Sequence, residues 1–134
     1  LETKELIIIL PTEHSNSIWK LVSFKIGHEM YLASGSGDHT IKLWAVRNNE
    51  LVTTLRGHKC DVRSLAVFSY GSIPFLVSGD KYGTIKLWNL VTFELMKTIE
   101  NGKSGGIWSL SVMSIHQTPS LAIGGKRDIE IWSE

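Results

Sequence analysis

Apolar and polar residues alternate along most of this chain in short runs broken by turn residues, and no segment carries a long 3.6-residue apolar period. Residues 5–10 are rich in β-branched side chains and stop at Pro11, so they read as a strand. After a polar loop at 12–16, the pattern predicts a strand at 18–24, a turn at Gly27-His28-Glu29 and a strand at 31–34. Gly35-Ser36-Gly37-Asp38-His39 supplies the small and left-handed-tolerant residues of a hairpin. Residues 40–44 return from it, with Ile41 and Leu43 on one face and Thr40, Lys42 and Trp44 on the other. A turn at Asn48-Asn49 leads to a strand at 51–55. The same order of events follows in strands 62–68, 75–78, 84–88 and 95–99, and again in 107–112, 121–124 and 128–132. Short strands with regular turn signals predict an all-β antiparallel meander.

The meander is periodic. Ser34-Gly35-Ser36-Gly37-Asp38-His39-Thr40-Ile41-Lys42-Leu43-Trp44 returns as Ser78-Gly79-Asp80-Lys81-Tyr82-Gly83-Thr84-Ile85-Lys86-Leu87-Trp88, and more loosely over 123–132. The tryptophans at 44, 88 and 132 stand 44 residues apart. Four strands per repeat of about 40–45 residues is the unit of a propeller blade, and radial repetition protects the sheet edges. Thr-Ile-Lys-Leu-Trp stands intact at 40–44 and 84–88, and Gly57-His58 is followed by Asp61-Val62-Arg63-Ser64-Leu65. On these motifs the chain resembles the WD-repeat family, whose marks are a Gly-His and a Trp-Asp dipeptide. It departs from the pattern at Trp44-Ala45, Trp88-Asn89 and Trp132-Ser133, and Gly102-Lys103 stands where a third Gly-His is expected.

The resemblance implies an all-β fold, a WD-repeat β-propeller of three four-stranded antiparallel blades spanning 1–134, with blades at 17–56, 61–100 and 106–132. In that phase the outer strand 5–10 is set to complete the last blade. Three blades are too few to close around an axis, since propellers typically need about 4–8. The expectation is therefore a part of a larger ring, with further blades in cis, or a ring completed by self-association.

Composition narrows the function. With 43% hydrophobic residues the chain can bury a core, and a net charge of +1 with no basic run gives no nucleic-acid groove. No apolar run approaches the ~20 residues of a membrane helix, so no membrane partner is expected. One cysteine, Cys60, forms no internal disulfide, which fits an intracellular setting, cytoplasmic or nuclear. No cofactor is expected. His58-Lys59-Cys60 lacks a second pair of ligands, so no metal site is expected and Cys60 reads as a loop thiol. Gly102-Lys103-Ser104 has Lys97 where a phosphate-binding loop requires glycine, and a strand rather than a helix follows it.

His14, Ser34 and Asp38 admit a Ser-His-Asp catalytic reading, but no oxyanion hole or strained nucleophile turn accompanies them. The resemblance implies instead that His14, Ser34, Asp38 and Trp44 form a buried hydrogen-bond chain. It implies that the second unit keeps His58, Ser78 and Trp88 while Tyr82 takes the place of the Asp.

The positions expected to bind a partner are Trp19, Arg63 and Trp108, each following the apolar residue (Ile18, Val62, Ile107) that opens an innermost strand. In the family this position lies at the channel rim, and Gly37 and Lys81 reach the same face from the hairpins. Trp and Arg are types enriched at binding hot spots, although Trp19 and Trp108 could equally pack between blades. Arg63 and Lys81 suit an acidic or phosphorylated peptide, and Arg63 could alternatively pair only with Asp61. The function implied is a non-catalytic protein-interaction scaffold or adaptor, not an enzyme. The alternative is the regulatory or substrate-recruiting region of a larger signalling NTPase, kinase or ubiquitin ligase.

Overall fold

The computed structural model describes residues 4–100, 106–125 and 128–133. It contains eleven strands in three antiparallel sheets and, among the described residues, no helix. The first sheet is a meander of β1 (Ile18–Ile26), β2 (Glu29–Ser36), β3 (Ile41–Ala45) and β4 (Glu50–Leu55), in that spatial order. The second repeats it with β5 (Val62–Tyr70), β6 (Ile73–Asp80), β7 (Thr84–Asn89) and β8 (Leu95–Glu100). The third holds β9 (Ser109–Ile115), β10 (Thr118–Gly124) and β11 (Ile129–Trp132), three strands where the period predicts four.

The expected strand at 5–10 does not form. Leu6, Ile7 and Ile9 are 78%, 93% and 75% exposed, and no ladder pairs them. A single extended segment leaves its N–H and C=O groups to water and gains no sheet until an edge receives it. The edge of β11 is open among the described residues, and that edge is the one the third sheet lacks a partner for.

Turn chemistry explains the registers. Asn49 (φ 58°) and His39 (φ 76°) adopt the left-handed region at the tips of their hairpins, where a short polar side chain tolerates it best. The innermost strands carry a second irregularity that alternation alone did not reveal. The β1–β2 ladder skips between Ile18 and Lys20, and the β5–β6 ladder between Val62 and Ser64. Trp19 and Arg63 are therefore β-bulge residues, and a bulge re-aims the side chain it carries.

The sheets stack face to face, so the core lies between them. Phe24, Ala33, Ile41, Leu43 and Leu55 of the first sheet meet Val62, Leu65, Leu76, Trp88 and Leu90 of the second. Ala66, Val77 and Ile85 then meet Ile107, Leu110 and Ile123. Both faces of β3 are buried despite their alternation: Ile41 and Leu43 pack with the second sheet, while on the other face Trp44 bonds Ser34 and Lys42 bonds Thr54. Close approach is set by two glycines at equivalent places. A Cβ on Gly35 would lie 2.9 Å from Val62 Cγ1, and one on Gly79 would lie 2.5 Å from Ile107 Cγ2 and 2.7 Å from Ser64 Oγ.

Gly79→Ala thus forces the second and third sheets apart and is expected to lower stability by about 1–3 kcal/mol. A urea midpoint unchanged from the parent chain contradicts this packing.

Candidate protein-interaction face

The loop before each complete sheet is tied to that sheet's hairpin by a buried histidine. In the first unit, His14 Nδ1 lies 2.8 Å from Asp38 Oδ2 and Nε2 lies 2.7 Å from Ser34 Oγ. Trp44 Nε1 donates to the same Ser34 Oγ at 3.2 Å. A carboxylate can only accept, so Nδ1 carries the proton that faces Asp38. The amides of Thr40 (2.9 Å) and Ser15 (3.1 Å) and the Thr40 hydroxyl (2.6 Å) also donate to that carboxylate. The four residues expected to form this chain are brought together.

The second unit corrects the expectation that it lacks an acid. Asp80, two residues ahead of the place aligned with Asp38, supplies the carboxylate. Its Oδ2 lies 2.8 Å from His58 Nδ1, while His58 Nε2 reaches Ser78 Oγ at 2.6 Å and Trp88 Nε1 donates to that hydroxyl at 2.9 Å. Tyr82 contributes its backbone, with its N–H donating to Asp80 Oδ1 at 2.9 Å beside that of Thr84 at 3.0 Å. A carboxylate at the end of β6 reaches its unit's imidazole as well as one in the hairpin does, because the histidine comes from a loop rather than from a fixed strand register. Position-by-position comparison of the two repeats concealed this. In the third unit Trp132 Nε1 donates instead to Glu130 Oε2 at 2.8 Å. The Gly102-Lys103 comparison lies outside the described residues.

Ser34, His14 and Asp38 have the connectivity of a hydrolytic triad, and so do Ser78, His58 and Asp80. Ser34 and Ser78 are wholly buried, and each hydroxyl oxygen already accepts an indole N–H. Neither can face a substrate without unfolding its sheet, so both act as structural links. Burial pushes the Asp38 and Asp80 carboxyls up, yet hydrogen bonds outweigh it. Bonds from Thr40 and His14 hold Asp38 well below the usual carboxylate range, and bonds from His58 and Thr84 hold Asp80 below it. Cys60 lies in the loop between β4 and β5, as expected, but is buried there, and burial, with the Asp80 charge, pushes its thiol up.

The bulge residues meet on one face. The Arg63 guanidinium lies between two indoles, 4.7 Å from the Trp19 ring centroid and 4.7 Å from that of Trp108. Three successive units each contribute one member at the same repeat position. Trp19 and Trp108 remain 48% and 52% exposed, so the stack faces solvent instead of closing into a core. Arg63 Nη2 is 3.6 Å from Asp61 Oδ2, a loose pairing. Gly37 is buried beneath this stack rather than presented on it: a Cβ there would lie 3.2 Å from Trp19 Nε1. Lys81 is exposed, and its N–H donates to Asp61 O at 3.0 Å, which sets its hairpin beside Arg63's strand.

Comparison with known proteins agrees with this architecture. The model of the family "WD domain, G-beta repeat" matches residues 5–45 and 49–89, more than half of the chain. The chain belongs to the WD-repeat family. A solved structure described as the WD40 beta propeller domain of Doa1 superposes with a TM-score of 0.78, covering 96% of this chain and 40% of that one at 22% identity. The fold is of β-propeller type. Among curated proteins, a Denticleless protein homolog of Mus musculus is 36% identical over 52 residues, and one of Gallus gallus is 38% identical over 52. Each match covers 39% of this chain and 7% of the relative, so the chain spans a small fraction of the length of these proteins.

Two outcomes follow from the polar chains. Asp80→Ala strands the His58 imidazole and is expected to cost about 1–3 kcal/mol, as is Asp38→Ala; urea midpoints equal to the parent's contradict the assignment. Both carboxyls titrate lower in the folded chain than in the unfolded one, so the folded state binds these protons more weakly. Their stabilisation is full above about pH 4–5 and drains as pH falls further. The double Asp38→Asn/Asp80→Asn chain is expected to show a flatter loss of stability between neutral and acid pH, measured by urea titration at several pH values.

Proposed function

We propose that this chain is a non-catalytic interaction module that binds a protein or peptide partner on the face carrying Trp19, Arg63 and Trp108. The observation that supports this most is the Trp19–Arg63–Trp108 stack itself. Two large indoles lie half exposed around a desolvated cation, where burial in a core would have been the cheaper arrangement for either ring. Aromatic and Arg side chains of this kind give up little rotamer freedom on binding, and the rigid sheets beneath them reduce the ordering cost further. WD-repeat domains generally bind protein partners, and the family assignment supports the same reading. Lys81 stands at the margin of the face and Gly37 serves it from below by leaving room for the Trp19 ring.

In this reading residues 5–10 supply the strand that β11 lacks, within a ring built of further blades. The exposed apolar side chains of Leu6, Ile7 and Ile9 and the open β11 edge, with Ile129 and Ile131 exposed, support that pairing. The free Cys60 thiol supports an intracellular setting.

Affinity capture from a cell extract tests the face, comparing the full chain with a Trp19→Ala/Arg63→Ala/Trp108→Ala variant of matched stability. The expected result is loss of most specifically captured proteins. An identical partner set contradicts the assignment of this face.

A further inference from the structure

The stack leaves one chemical demand unmet. A guanidinium has five N–H donors and two flat faces. In Arg63 the guanidinium carbon lies over both indoles, its side chain is only 16% exposed, and Nε is buried with no acceptor. Among the described residues no hydrogen bond is made to the guanidinium at all; Asp61 stands at 3.6 Å from Nη2, beyond hydrogen-bond distance. With Nε enclosed and two indoles packed against the guanidinium, the edge bearing Nη1 and Nη2 is the part left for a ligand. That edge presents two parallel N–H groups, which match the two oxygens of a carboxylate.

Building on the proposed interaction face, we infer that Arg63 is an end-on receptor for a single carboxylate on the partner, and that Asp61 is an internal competitor for it. The loose Asp61 contact already brings a carboxylate to Nη2, the kind of group this edge of the guanidinium attracts. The indoles strengthen the site in two ways: they exclude water from the guanidinium faces, and their quadrupoles hold the cation in place. They also dictate what surrounds the carboxylate. The outer surfaces of Trp19 and Trp108 stay exposed, so apolar or aromatic side chains flanking an acidic residue find a stacking surface on either side. A Glu or Asp set between apolar neighbours is the segment this geometry recognises. A bidentate carboxylate gains the hydrogen bonds that Asp61 does not make, and Asp61 then swings to solvent, where it is already one-quarter exposed.

The experiment titrates the full chain with three blocked peptides that differ only at the centre, Leu-Pro-Glu-Pro-Leu, Leu-Pro-Gln-Pro-Leu and Leu-Pro-phosphoSer-Pro-Leu, following tryptophan emission. The expected result is a saturable change with the Glu peptide, at least several-fold weaker binding of the Gln peptide, and loss of the Glu response in Arg63→Lys, which keeps the charge but not the fork. Asp61→Asn is expected to tighten the Glu peptide by about threefold or more, because the competitor is gone while the side chain's size is kept. Weaker binding by Asp61→Asn overturns the competitor role and makes Asp61 a positioning residue. Binding of the phosphoserine peptide alone overturns the carboxylate in favour of phosphate. Equal binding of the Glu and Gln peptides, or no saturable response to any peptide, overturns the receptor. None of these results depends on the capture experiment, in which an unchanged partner set defeats the interaction face as a whole.

Discussion

Asp80 joins the two halves of this molecule's organisation. Its carboxylate accepts from the His58 imidazole and from the Tyr82 and Thr84 amides, which fixes the hairpin between β6 and β7. Its own backbone carbonyl accepts the N–H of Ile107 at 2.9 Å, a hydrogen bond that ties the second sheet to the segment leading into the third. Gly79, immediately before it, lets Ile107 pack directly on the hairpin strand. The residue after Ile107 is Trp108, one arm of the stack around Arg63. A buried polar network at the sheet's end therefore sets where an exposed aromatic ring is held.

That coupling explains why a polar interior is tolerated. Each of the two complete units buries a histidine, a carboxylate, a serine hydroxyl and an indole N–H, and a partly satisfied set of this kind would be costly. In both complete units every one of these groups has a partner. The network gives an otherwise repetitive meander a fixed hairpin position, and the innermost strand of the following sheet is placed against that hairpin. The bulges in β1 and β5 then re-aim Trp19 and Arg63, so the exposed indoles and the guanidinium packed against them are positioned by the elements packed most tightly below them.

Much of this was legible in the sequence. The 44-residue spacing of tryptophans, the alternation and the turn residues define the meander, and eleven of the twelve strands form. The equivalence of Trp19, Arg63 and Trp108 followed from their place after Ile18, Val62 and Ile107. Their mutual stacking did not, because bulges leave no trace in a period-2 pattern. Asp80 is not aligned with Asp38 in the repeat, and the period hides it because a carboxylate needs only to reach a buried imidazole. Residues 5–10 carry every local mark of a strand and still lack a ladder, since strand structure is completed by a partner that local sequence cannot supply. Gly37 has the right place in the repeat but no side chain, and it acts by leaving space.

The most direct test of the link through Asp80 is solution NMR of the five indole N–H groups in the full chain and in Asp80→Asn. In the parent chain Trp44 and Trp88 are expected to exchange slowly with solvent, being hydrogen-bonded and buried, while Trp19 and Trp108 exchange quickly. Neutralising Asp80 is predicted to accelerate exchange at Trp88 and also to shift the Trp108 resonance, with Trp44 unchanged. A Trp108 resonance that stays in place while Trp88 responds would contradict the account, because the buried network and the exposed stack would then be independent.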